Sequence, residues 1–195
     1  MMHGEAIQQG ARKMLDTVEQ EYELINGEEV MLAAASIPHL GIQLSLARII
    51  GNYLKGKRCK AFFEAKVVFD SENWLQPDFL VVCDKNMIKL NHIEGAPDFI
   101  VEILSPTTQF RDLGVKKDIY ETFGVQEYWM IDPIARNIIV YLLKDGKYQL
   151  DSTYHSYSEE EWEGLSEREK AEQKLTLKLS LYDDLEIEVK EIFEE

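Results

Sequence analysis

The chain has 195 residues, 45% hydrophobic and 29% charged, a composition that fits one soluble globular domain with enough chain to bury a core. Acidic side chains number 36 against 21 Lys and Arg, giving a net charge of -15, which argues against a protein that coats nucleic acid through general phosphate contacts. The excess is uneven, because residues 151–195 hold 15 acidic and 5 basic side chains, and it does not argue against an enzyme whose carboxylates hold metal.

No apolar run approaches the roughly 18 residues of a membrane span. The first twenty residues lack the apolar stretch of a signal peptide, so a cytoplasmic location and no membrane partner are expected. Cys59 and Cys83 lie outside any CxxC or Cys/His spacing, which argues against structural zinc and supplies no disulfide framework.

In chain order, Gln8 to Gln20 reads as a weak helix. Tyr22 to Met31 holds two short apolar runs around Asn26-Gly27, a strong hairpin signal. Pro38 to Leu54 is helical. At about 100° per residue, Leu40, Ile42, Leu46, Ile49, Ile50, Tyr53 and Leu54 share one arc, with His39 and Gln43 inside it. Phe63 to Phe69 alternates as a strand, with Phe63, Ala65, Val67 and Phe69 on one face. Phe79 to Val82 and Asp98 to Leu104 are continuous apolar runs, which suit central strands covered on both faces.

Phe110 to Phe123 predicts a second helix, stopped by Gly124. Tyr128 to Ile131, Ile138 to Leu143 and Tyr148 to Leu150 read as strands. Residues 156–174 read as a charged helical segment and 181–195 as an acidic tail with an amphipathic stripe. Strands on either side of two long helices predict an α/β (α+β) sheet domain, one domain over 1–195 with an acidic C-terminal extension from 151.

Few polar residues sit where a plain core would not put them. Asp78 opens a buried strand directly after Pro77, and Glu102 stands inside Phe99-Ile100-Val101-Glu102-Ile103-Leu104. A carboxylate there must be paired, hydrogen-bonded or bound to a cation. Two such acids close together repel unless a proton or a metal ion lies between them. On the second helix, Lys116 falls near the middle of the arc shared by Asp112, Leu113, Ile119, Tyr120 and Phe123, whereas Lys117 falls on the other side. Lys116 either snorkels to water, pairs with Asp112 four residues away, or serves a site. Two carboxylates able to hold Mg²⁺ beside a lysine are a known device for activating water at a phosphate.

Pro77-Asp78 followed 24 residues later by Glu102-Ile103-Leu104 resembles the active-site signature of the PD-(D/E)XK nuclease superfamily. The surrounding blocks resemble its Uma2 branch of restriction-type endonucleases. They are Tyr22 to Glu28, Gln76-Pro77-Asp78, Gly95 to Thr108, Arg111 to Lys116, Tyr120, and Gly124 to Pro133, so the likeness covers roughly residues 20–150. It implies a restriction-endonuclease-like mixed central sheet flanked by helices. It also implies that Asp78, Glu102 and the Ile103 carbonyl bind Mg²⁺ or Mn²⁺. The superfamily lysine normally stands two residues after the Glu, where this chain has Leu104. In Uma2-like sequences the lysine has moved to the following helix, which points to Lys116.

The same resemblance offers Glu64 as an extra metal ligand and His39 as an auxiliary residue. The alternatives are a solvated edge acid and a satisfied core histidine. Tyr120, one turn from Lys116, is a further auxiliary candidate or a packing partner. Glu127, Tyr128 and Asp132 belong to a block read as mostly structural. Lys85 and Lys89 are either phosphate contacts or solvated loop lysines.

The expected function is a Mg²⁺-dependent endonuclease that hydrolyses phosphodiester bonds of nucleic acid, in the first instance DNA. A catalytically inactive binding or assembly module on the same fold is the alternative, supported by Leu104. A homodimer is expected, because two sites must reach two strands; the C-terminal segment offers apolar residues from Leu175 to Phe193, part of which must close the domain's own core.

Overall fold

The computed structural model describes residues 21–105 and 112–193, and the helix expected over Gln8 to Gln20 lies outside them. The chain opens with the hairpin β1 (Tyr22–Ile25) and β2 (Glu28–Met31). Its turn puts Asn26 and Gly27 at φ 51° and 79°, the left-handed pair that matches strand twist. Helix α1 (Ile37–Tyr53) follows, with the Ser36 hydroxyl accepting the His39 N–H at its start and Pro38 in its first turn. Strands β3 (Lys60–Phe62), β4 (Val67–Val68), β5 (Trp74–Leu75), β6 (Phe79–Val82), β7 (Ile93–Glu94) and β8 (Phe99–Ile103) come next. A π-helical turn, Asp112–Lys116, leads into α2 (Lys117–Phe123), which Gly124 ends at φ 88°.

The chain then forms β9 (Glu127–Asp132), β10 (Asn137–Lys144) and β11 (Lys147–His155), the short helices α3 (Glu159–Gly164) and α4 (Glu167–Glu172), the hairpin β12 (Thr176–Lys178) and β13 (Glu186–Glu188), and α5 (Val189–Phe193). The central sheet runs β11-β10-β9-β8-β6-β3, parallel only between β8 and β9. A second sheet runs β2-β1-β5-β4-β7.

The continuous apolar runs of β6 and β8 have the predicted cause, and β9 shares it. Phe79, Val81, Phe99, Val101, Trp129 and Ile131 face α1 and the C-terminal elements. Leu80, Val82, Ile100, Tyr128 and Met130 face α2 and the second sheet. Leu177, Leu179, Leu185, Ile187, Val189, Ile192 and Phe193 lie in the first of these cores. That set therefore closes the chain's own interior and is not a free dimer face. No helix among the described residues is long and apolar enough to cross a membrane.

Four expectations need correcting. Phe63 to Phe69 is not one strand: the chain breaks at Glu64, which takes φ 50° and gives its N–H to the Pro77 carbonyl at 3.1 Å, leaving Phe63 62% exposed. Leu40, placed on the buried arc, is 44% exposed, while Ser45 is buried. Residues 156–174 form two helices, each started by its own capping box, Ser158 with Glu161 and Ser166 with Glu169. Cys59 and Cys83 form a disulfide. Lys60 pairs with Val82 across β3 and β6, so the cysteines one step beyond stand opposite each other, a proximity that no spacing rule encodes.

Glu127 ties the C-terminal segment to β9. Its carboxylate accepts the Trp129 indole N–H at 2.6 Å and both the Ser180 N–H and hydroxyl, at 2.8 and 2.5 Å. Burial raises its carboxyl above the ordinary value, against these hydrogen bonds, which lower it. A raised folded-state pKa contributes stability that is complete below the unfolded value and is lost as pH rises through the folded one. Relative to Glu127→Gln, the wild type is therefore expected to gain in thermal midpoint as pH falls from about 7 to about 5. Melting curves of both proteins at the two pH values check this.

Candidate active site

Strand alternation sends Ile100 and Glu102 of β8 toward α2, opposite to Phe99, Val101 and Ile103. Glu102, 2% exposed, meets the Lys116 ammonium at 3.1 Å and accepts the Tyr120 hydroxyl at 2.5 Å. Burial, and then the Glu102 and Glu23 carboxylates, hold the Tyr120 phenol well above its ordinary pKa, so it stays a neutral donor. The lysine is where the helical wheel places it. From Lys116 onward the spacing to Ile119, Tyr120 and Phe123 is α-helical, and the π-helical turn alters the phase only upstream. Lys117 points elsewhere, its ammonium 4.6 Å from the centre of the Tyr141 ring.

Lys116 pairs with a second carboxylate, Glu23 of β1, at 2.9 Å. The same Glu23 oxygen accepts the backbone N–H of Gln76 at 2.8 Å. Two buried carboxylates thus share one ammonium. Buried acids of this kind persist only with such partners.

Asp78 stands just before β6. Its Oδ2 accepts the Ile103 N–H at 2.6 Å, which seats the carboxylate beside the residue that follows Glu102. Its Oδ1 lies 3.1 Å from His39 Nε2. One turn further along α1, the Gln43 amide donates both to the Asp78 carbonyl, at 3.0 Å, and to Glu64 Oε1, at 3.1 Å. Glu64 meets Gln43 from a left-handed backbone, φ 50°, which is costly for a residue with a Cβ.

His39, Glu64, Asp78, Glu102, Ile103 and Lys116 all line one cavity of about 620 Å³. Tyr120 is fully buried behind its wall. Lys85 and Lys89 are not on that wall, and Lys89 pairs with Glu94 at 2.9 Å. Asp132 caps a turn by accepting the N–H groups of Ile134 and Ala135. Tyr128 is core. Sequence reasoning assigned no role to Glu23 or Gln43. Gln43 carried a signal, as a polar residue inside an apolar arc; Glu23 carried only its place on a short hairpin strand. Among the described residues, no three acidic, histidine or cysteine side chains converge as a ready cage for a metal ion.

The model of the Uma2 family, described as "Putative restriction endonuclease", matches residues 10–181. The chain belongs to the Uma2 family. That match extends past the roughly 20–150 over which the motifs alone carry the likeness, and takes in most of the acidic C-terminal segment. Two uncharacterized proteins of Synechocystis sp. are similar to this Uma2 chain. One is 26% identical over 129 residues, covering 65% of this chain and 68% of that protein. The other is 25% identical over 124 residues, covering 61% and 70%. A crystal structure from Anabaena variabilis, described as "a putative nuclease belonging to DUF820", superposes with a TM-score of 0.69 at 22% identity, over 90% of this chain and 91% of that one. The Uma2 chain therefore has the restriction-endonuclease-like α+β fold expected from its sequence.

Proposed function

We propose that this Uma2 protein is a Mg²⁺-dependent endonuclease that hydrolyses phosphodiester bonds of DNA. The observation that carries the proposal is the meeting of Asp78, Glu102 and Lys116 on one cavity, from three separate elements. Mg²⁺ takes hard oxygen ligands and is usually held by one or two carboxylates together with water and substrate phosphates. Asp78 and Glu102 are such a pair, so a cage of three acids is not required. Ile103 and Glu64 line the same cavity and would offer a backbone carbonyl and a carboxylate as further oxygens. When bound, the cation would neutralise phosphate charge and lower the pKa of a water.

The residues divide the remaining work. Lys116 orients the attacking water and supports the negative charge that develops on the phosphoryl oxygens. Tyr120 holds the Glu102 carboxylate from behind. Gln43 holds Glu64 and the Asp78 backbone together. His39 faces Asp78 and offsets its charge when protonated. Attack of water on phosphorus in line with the P–O3′ bond would break that bond and expel O3′, which takes up a proton, leaving 5′-phosphate and 3′-hydroxyl ends. Of the -15 net charge, -10 falls in residues 151–195, so the acidity is concentrated outside the site-bearing segment.

Purified protein with Mg²⁺ or Mn²⁺ is expected to nick supercoiled plasmid and to lose this activity in chelator. Single-stranded DNA and RNA run beside it define the substrate class. Absence of cleavage by folded protein with either metal would overturn the proposal in favour of a non-catalytic module, the reading that Leu104 at the usual lysine position favours. Such a module should bind Mn²⁺ no better than its Asp78→Ala variant. A homodimer would let two sites reach both strands. Light scattering showing a strict monomer at high concentration would remove it.

A further inference from the structure

We infer that Glu23 is a positioning residue for Lys116, fixing the direction of its ammonium against the cavity. The inference rests on the nuclease reading above. Strand β1 belongs to the outer sheet, where Tyr22 and Glu28 are exposed, yet Glu23 is 0% exposed. A carboxylate in such a place is held there by what it binds. It binds Lys116 at 2.9 Å and, through the same Oε1, the N–H of Gln76, two residues before Asp78. One oxygen atom therefore ties the lysine to the segment that carries the first site acid. The second oxygen, Oε2, is buried without a hydrogen-bond partner among the described residues, and Glu23 does not line the cavity. Glu23 consequently acts through Lys116 and touches no substrate.

The geometry says what this achieves. An ammonium has three donors in fixed directions. Glu23 and Glu102 engage it from different elements, the hairpin and the central sheet, and together hold its position. A cation at Asp78 and Glu102 would draw on the Glu102 carboxylate. Glu23 then keeps the ammonium in register with the Asp78 segment.

The test uses the full chain, Glu23→Gln and Glu23→Asp. Glu23→Gln is expected to lower kcat for plasmid cleavage by about 10- to 100-fold, the scale of removing a supporting residue behind a site group. KM and Mn²⁺ affinity by calorimetry should stay within about twofold, since Glu23 contacts neither substrate nor cation. A slowly exchanging ¹⁵N-ammonium signal, identified as Lys116 by its absence in Lys116→Met, should be present in the wild type and lost in Glu23→Gln.

Unchanged kcat together with a retained ammonium signal overturns the inference. An equal loss of kcat and Mn²⁺ affinity also overturns it, because Glu23 would then act on the cation. If Glu23→Gln does not melt cooperatively, Glu23→Asp decides. Its carboxylate falls one methylene short and should show the same kcat loss at retained charge. If the wild type cleaves nothing, the nuclease reading fails and the ammonium signal alone decides the role of Glu23.

Discussion

Asp78→Ala and Glu102→Ala are each expected to remove divalent-cation binding and DNA cleavage together. Losing a ligand carboxylate forfeits several kcal/mol of transition-state stabilisation, a fall on the order of 10³-fold or more in kcat/KM. Calorimetry with Mn²⁺ and a plasmid assay on the same samples measure both effects. The two variants should differ in the fold. Asp78→Ala leaves the Ile103 N–H without its acceptor, whereas Glu102→Ala leaves Lys116 its partner Glu23 and frees the Tyr120 hydroxyl. Neither change strips a buried charge of every counter-charge. Both proteins should stay folded in metal-free buffer. Cation binding retained in Asp78→Ala would move the site elsewhere.

Lys116→Ala is the second large effect, and it separates two roles that one residue plays. Cleavage should fall by about 10²- to 10³-fold, the scale of removing one electrostatic stabiliser. Mn²⁺ affinity should not fall, because an ammonium is not a ligand. Stability should fall as well. The variant leaves the Glu23 and Glu102 carboxylates buried without the ammonium between them, and breaking a buried pair costs about 3–5 kcal/mol. Urea titration measures that loss, and the cleavage assay must run well below the variant's midpoint. Lys117→Ala is the control. Its ammonium lies over Tyr141, a contact worth about 0.5–1 kcal/mol, and is not on the cavity wall. Cleavage abolished in Lys117→Ala but intact in Lys116→Ala would sink the assignment.

The residues that could be read ahead of the structure were those whose local pattern is decided by local physics. Asn26-Gly27 specifies its turn whatever surrounds it. The apolar runs of β6 and β8 have no polar face to offer water and so must be central. Glu102 and Lys116 were visible because each breaks a long pattern, one a strand run and the other a helical arc.

Glu23 was not visible for the opposite reason. In Tyr22-Glu23-Leu24-Ile25 alternation alone would bury Tyr22 and Leu24, and the strand is too short to vote otherwise. Its inward turn depends on a lysine 93 positions away in sequence. The break at Glu64 and the Cys59–Cys83 pair are likewise set by distant partners, the Pro77 carbonyl and the register of β3 on β6. Leu40 kept the right helical period but sits at the rim of the arc, about 100° round the helix from His39, and is exposed while His39, Ile42 and Gln43 in the same turns are buried.

The acidic C-terminal segment bears on how this protein can be re-engineered. A worker wanting tighter binding to nucleic acid would be tempted to truncate after β11 and shed most of the negative charge. That cut would strip the cover from Ile42, Leu46 and Ile50, the buried side of the helix that carries His39 and Gln43. It would also free Glu127 from Ser180 and Tyr53 from Asp184. Charge is better removed where it bears no structure. Glu160 and Glu163 are exposed and hold no cap, unlike Glu161 and Glu169, whose side chains close capping boxes. Neutralising the first pair changes the field the substrate meets and leaves the scaffold beneath α1 in place.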